Sequence, residues 1–124
     1  MQRSFCIMAM KTVLIVDDDP DTLEIIGQIL SSSYEVKTVL SRDEALEVIN
    51  AGFQPSCVLM DYMMPGMTLE EFLKHPKTLH LRIVLMTGHG DAIRISELAG
   101  LSSSLQKPLT SESILQSVQS IAGT

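Results

Sequence analysis

Residues 57–67 read CVLMDYMMPGM: an apolar run that stops at one carboxylate, Asp61, and breaks a few residues later into Pro65-Gly66. A short apolar run closed by a turn signal suits a strand covered on both faces, and its end delivers Asp61 to the edge of a sheet. Two other stretches repeat the design. Residues 13–16 are branched and apolar and finish in Asp17-Asp18-Asp19-Pro20, while residues 82–86 finish at Thr87-Gly88. A chain that ends several buried strands in polar side chains has a strong constraint on its fold, because those ends must share one edge.

The intervening segments carry helical signals. Asp19 followed by Pro20 marks a helix start, the Asp as cap and the Pro in the first turn where no amide is needed. Leu23, Ile26 and Leu30 then fall at helical spacing to about Ser31, with Ile25 and Ile29 expected to widen the apolar stripe. Gly27 inside that helix costs roughly 1 kcal/mol. Residues 34–40 mix Glu35, Lys37 and Thr38 with apolar neighbours and read as an edge strand. Ser41 with Glu44, and Thr68 with Glu71, each have capping-box spacing. The first opens a helix ending near Asn50, with Gly52 at its C-terminus; the second opens a short helix closed by His75-Pro76. Residues 92–99 are expected to be a helix ended by Gly100, residues 103–106 a weak strand, and Thr110 the cap of a last helix whose buried side holds Ile114, Leu115, Val118 and Ile121.

Strand and helix thus alternate five times, which implies a single α/β domain: a (βα)5 doubly wound unit of flavodoxin type with a parallel sheet. Strands one, three and four look buried and two and five look like edges, which selects the order 2-1-3-4-5. Ligands bind beyond the carboxyl ends of the strands in such sheets, near the switch point between strands one and three. Asp17, Asp18, Asp61, Thr87 and Lys107 all fall there.

The 124 residues fit one core, and 45% hydrophobic with 19% charged is an ordinary globular balance. Residues 1–10 read as a loosely attached extension and residues 11–124 as the domain. A net charge of −6 with only nine Lys and Arg argues against direct nucleic-acid binding. Lys11 interrupts the opening before a membrane span or signal core could form, so no membrane partner is expected. Cys6 and Cys57 have neither metal-ligand spacing nor a disulfide framework, which suits a reducing compartment, with cytoplasm as the default.

Three carboxylates brought together repel by about 4 kcal/mol per pair at 4 Å and an effective dielectric near 20. They call for a cation. Mg²⁺ suits hard oxygen ligands, whereas zinc would ask for His or Cys that this edge does not supply. Asp19 reads as a helix cap, Cys57 as a small core residue, and Met60, Met63, Met64 and Met67 as core and loop filling. His75, His80 and His89 read as solvated loop residues, His89 being near enough to Thr87 in sequence to reach a phosphate.

VDDDP at 16–20, DYMMPGM at 61–67, MTG at 86–88 and QKPL at 106–109 together resemble the receiver domains of two-component response regulators, in order and over residues 11 to about 122. The resemblance implies a signalling domain, not a turnover enzyme, in which Asp61 takes a phosphoryl group from a histidine kinase or phosphotransfer protein. It further implies Mg²⁺ bound by Asp18 directly, by Asp17 largely through water, and by Asp61 and the Met63 carbonyl. Thr87 would contact the phosphoryl group, Lys107 would pair with it, and Lys107-Pro108 is expected to be cis. A downstream output protein or domain is implied as partner, and a phosphorylation-dependent homodimer is compatible with it.

Departures from the pattern bear on output. Three residues before the lysine the family carries Tyr or Phe, and this chain has Ser104; Thr68-Leu69 replaces the common Asp-Gly. One alternative is therefore a degenerate receiver serving as a protein-interaction module. Another is a Mg²⁺-dependent aspartyl phosphatase, although residues 17–21 do not fit the Asp-x-Asp-x-Thr/Val pattern and the length leaves no room for a cap domain.

Overall fold

A computed structural model describes residues 10–88, 100–101 and 103–123. Among them the order is β1 (Thr12–Val16), α1 (Pro20–Leu30), β2 (Glu35–Val39), α2 (Arg42–Asn50), β3 (Cys57–Asp61), α3 (Leu69–Lys74), a single 3₁₀ turn (Pro76–Thr78), β4 (Ile83–Thr87), β5 (Ser103–Gln106) and α4 (Ser111–Ala122). The strands form one parallel sheet in the order β2-β1-β3-β4-β5. The expected helix at residues 92–99, and His89, lie outside the described residues.

Side chains alternate across the sheet, as the period of two requires. Val13, Ile15, Cys57, Leu59, Val84 and Met86 face one layer, where Leu23, Ile26 and Leu30 of α1 meet Ile114 and Val118 of α4. Leu14, Val16, Val58, Met60, Ile83 and Leu85 face the other, against Ala45 and Ile49 of α2 and Leu69 and Phe72 of α3. The stripe on α1 is narrower than the sequence suggests: Ile25 is 58% exposed and takes no part in the core. On α4, Leu115 and Ile121 are only partly buried and Ala122 completes the inner face.

The caps follow the sequence with one change. Thr68 and Glu71 form a reciprocal capping box, and Asp19 accepts from the Asp21 amide and the Thr22 hydroxyl. At Ser41 only half of the expected box forms. The Ser41 hydroxyl accepts from the Glu44 amide at 3.1 Å, but the Glu44 carboxylate reaches one residue further back and accepts from the Leu40 amide at 2.7 Å. Leu40 lies just past the end of β2, where the ladder no longer supplies a partner for its N–H.

The six-residue α3 is too short to persist on propensity and depends on what it buries. Phe72 is fully enclosed, and the buried Thr78 hydroxyl lies 2.6 Å from the Phe72 carbonyl and 2.8 Å from that of His75, tying the helix end to the following turn. Phe72→Ala is expected to lower the unfolding free energy by about 3–5 kcal/mol, a large part of the roughly 5–15 kcal/mol a domain commands. Urea unfolding at unchanged m checks it, and a loss below about 1 kcal/mol would show that the site collapses around the deletion.

At the opposite edge of the sheet, the end of α4 is held by three side chains from the strand starts. The Lys11 ammonium donates to the Ala122 carbonyl, the Tyr34 hydroxyl to that of Gly123 at 2.9 Å, and the Arg82 guanidinium to that of Ile121 at 3.0 Å. The last carbonyls of a helix have no intrahelical donors, and positive side chains there also suit the dipole. Gly123 closes the helix at φ +83°, and a Cβ at that position would lie 2.9 Å from the Lys11 Nζ.

Candidate functional site

Register brings the polar strand ends together. Val16 pairs with Met60, so Asp17 and Asp61 each follow a matched pair at the C-terminal edge. Asp61 in turn pairs with Met86, and Thr87 pairs with Gln106, which puts Lys107 just beyond. The Lys107 amide donates to the Thr87 carbonyl at 2.8 Å, and the Lys107-Pro108 peptide is cis.

One carboxylate oxygen from each of Asp17, Asp18 and Asp61 lies within 4.8 Å of the others. Asp17 and Asp61 are buried, 1% and 5% exposed, while Asp18 faces solvent. The Lys107 ammonium is 3.2 Å from Asp61 Oδ1 and 3.8 Å from Asp17 Oδ2. Asp17 Oδ1 accepts from the Asp19 amide at 2.9 Å, but Oδ2, equally buried, has no hydrogen-bond donor among the described residues. Burial chiefly, then the charges of Asp61 and Asp18, push the Asp17 carboxyl above its ordinary value, against the pull of the Asp19 amide and Lys107.

A buried carboxylate oxygen without a donor, beside two more carboxylates, fits a hard cation better than a hydrogen-bonded resting state. The cluster contains only aspartates, which favours Mg²⁺ over a soft metal. Thr87 is buried at the end of β4. Met63 stands two residues past Asp61, its side chain 61% exposed at the rim. Cys57 plays no part: burial pushes its thiol up to about 12, so it stays neutral within the core.

Arg42 was not singled out by sequence reasoning. It occupies the first turn of α2 yet is 2% exposed, and its guanidinium turns towards the 61–67 loop. A signal was available: a cation at a helix N-terminus opposes the dipole, so Arg42 ahead of Asp43-Glu44 needed a reason from elsewhere.

The model of the response regulator receiver domain matches residues 13–119. The chain belongs to this family. Receiver domains are phosphoaccepting signalling domains rather than enzymes of metabolism, bind Mg²⁺ through an acidic pocket, and work with histidine kinases and output domains. This receiver domain is 38% identical over 106 residues to the two-component response regulator ORR6 of Oryza sativa subsp. japonica, covering 78% of the chain and 62% of the relative. It is 30% identical over 115 residues to the C4-dicarboxylate transport transcriptional regulatory protein DctD of Pseudomonas aeruginosa, covering 90% of the chain but 25% of that protein. The receiver therefore spans less than two thirds of either relative. The structure of Vibrio cholerae chemotaxis protein CheY4 superposes with a TM-score of 0.79 at 26% identity, over 91% of this chain and 99% of that one. No helix among the described residues is long and apolar enough to cross a membrane.

Proposed function

We propose that Asp61 is the phosphoacceptor, that Asp17, Asp18, Asp61 and the Met63 carbonyl hold Mg²⁺, and that Thr87 and Lys107 contact the phosphoryl group. The observation that carries this reading is the donorless Asp17 Oδ2 within a three-carboxylate cluster whose Asp61 lies 3.2 Å from a lysine ammonium. Bound Mg²⁺ would offset the negative charge that gathers between acceptor and phosphoryl oxygens.

The chain's own groups have distinct tasks. An Asp61 carboxylate oxygen attacks phosphorus, forming an acyl phosphate as the bond from phosphorus to the donor imidazole nitrogen breaks, and that nitrogen takes up a proton. Lys107 supplies positive charge beside Asp61 and Asp17 and gains the phosphoryl group as a further partner in the product. The Thr87 hydroxyl donates to a phosphoryl oxygen, and this contact biases a two-state loop equilibrium that partners read. The donor is a histidine kinase or phosphotransfer protein, the recipient a downstream output protein or domain. We place the domain at residues 11–124 and the protein in the cytoplasm.

The test is incubation with Mg²⁺ and acetyl phosphate, read by intact mass. One phosphoryl group gained supports the reading; unchanged mass in protein that binds beryllofluoride would sink it in favour of an interaction module. Met63 provides a second prediction, because its side chain is exposed two residues past Asp61. Met63→Asn is expected to shorten the lifetime of the acyl phosphate several-fold by admitting and orienting water. An unchanged decay rate would mean that the side chain points away from the phosphoryl group.

A further inference from the structure

The 61–67 loop carries the acceptor at its start and returns through Pro65-Gly66, Gly66 at φ +88°. Past β3 the ladder adds only the bond from the Tyr62 amide to the Met86 carbonyl, so the carbonyls from Asp61 onward would be expected to point to solvent. Three of them instead converge on one buried side chain. Arg42 Nη2 donates to the carbonyls of Asp61 and Tyr62 at 3.0 Å each, Nη1 to that of Met67 at 3.0 Å, and Nε to the Met60 sulfur at 3.3 Å. Four acceptors thus occupy a group with five N–H donors in a rigid fork. The neighbouring Asp43 carboxylate stands 3.3 Å from where a Cβ on Gly66 would be, so the start of α2 lies against both limbs of the loop.

The consequence for the site follows from peptide planarity. Holding the Asp61 and Tyr62 carbonyls fixes two successive peptide planes. On the far side, Pro65 has a locked φ and restricts Met64 before it. Between these constraints the direction of the Met63 carbonyl depends on little beyond Met63's own two dihedrals.

We propose that Arg42 is a positioning residue for the cation site: by clamping the Asp61, Tyr62 and Met67 carbonyls it presets the Met63 carbonyl as a ligand before Mg²⁺ arrives. The inference rests on the phosphoacceptor reading above. It differs from a general role in stability, because the clamped carbonyls belong to the proposed ligand Asp61 and to the loop on either side of the Met63 carbonyl.

The experiment measures Mg²⁺ dissociation constants by calorimetry for the unaltered protein, Arg42→Met, Arg42→Lys and Arg82→Met, with folding checked by circular dichroism. Arg82→Met removes an arginine-to-carbonyl bond at the opposite edge of the sheet and serves as the control for stability alone. Arg42→Met is expected to raise the constant about tenfold, equivalent to about 1.4 kcal/mol. Arg42→Lys is expected to raise it at least threefold, since one ammonium cannot span all three carbonyls. Arg82→Met should leave it within twofold. The rate with acetyl phosphate should split in the same way, the Mg²⁺ concentration for half-maximal rate rising in the Arg42 variants while the rate at saturating Mg²⁺ stays near that of the unaltered protein. If Arg42→Met does not fold, Arg42→Lys decides by its own threshold. A folded Arg42 variant with an unchanged constant overturns the proposal, as does an equal shift in Arg82→Met. Failure of the unaltered protein to bind Mg²⁺ would instead remove the site reading, and this inference with it.

Discussion

Asp61→Asn is expected to take up no phosphoryl group from acetyl phosphate and Mg²⁺, and the unaltered protein to take up one. Asparagine keeps the size and much of the hydrogen bonding of aspartate, so the 5%-exposed position at the end of β3 remains filled. It lacks the anionic oxygen that lies 3.2 Å from Lys107, and an amide oxygen cannot form the acyl phosphate. The loss should be complete, because without the Asp61 carboxylate there is no oxygen on which the acyl phosphate can form. Intact mass and a phosphoryl-transfer time course read the result. Phosphate found on Asp61→Asn at the normal rate would place the acceptor elsewhere, with the exposed Asp18 the first position to map.

Asp17→Asn is expected to do two opposite things. In the absence of divalent cation it should stabilise the fold, by about 1–3 kcal/mol, because it removes one charge from a like-charged cluster while its amide can still accept from Asp19. The direction of the Asp17 shift supplies the sign. A carboxyl whose folded pKa is raised binds its proton more tightly in the folded chain, so its favourable contribution is present below the ordinary value of 3.8 and is lost as pH rises through the folded value. At neutral pH the ionised side chain is then a net cost. With Mg²⁺ the order should reverse: a ligand at 100 times its dissociation constant stabilises by about 2.7 kcal/mol, and the variant forfeits that gain. Thermal unfolding with and without Mg²⁺ gives both arms. Destabilisation of the cation-free protein would mean that Asp17 is held by favourable contacts outweighing the repulsion.

Much of this arrangement is legible in the residues themselves. The runs VLIV, CVLM and IVLM leave no polar face, so β1, β3 and β4 are interior strands, and the mixed EVKTV of β2 belongs at an edge. Asp17, Asp18, Asp61 and Lys107 converge because those strands end together, which pattern alone anticipates. What local pattern does not carry is the partner of a long side chain. Arg42 bonds to groups 18 to 25 residues away, and the need it meets, carbonyls in a loop beyond the ladder, has no residue-type signature. The same holds for Glu44, whose carboxylate chose the Leu40 amide over that of Ser41 because β2 leaves it open. Ile25 misleads for a different reason: helical spacing admits it to the stripe, but α1 meets the sheet and α4 along a narrower line.

The clasp of Lys11, Tyr34 and Arg82 on the last carbonyls of α4 also fixes where the backbone leaves the domain. A tag or fusion partner attached after Gly123 would depart from the amino edge of the sheet, about 17 Å of strand away from Asp61. Such an attachment would begin at the end of the sheet remote from the Asp17, Asp18 and Asp61 cluster.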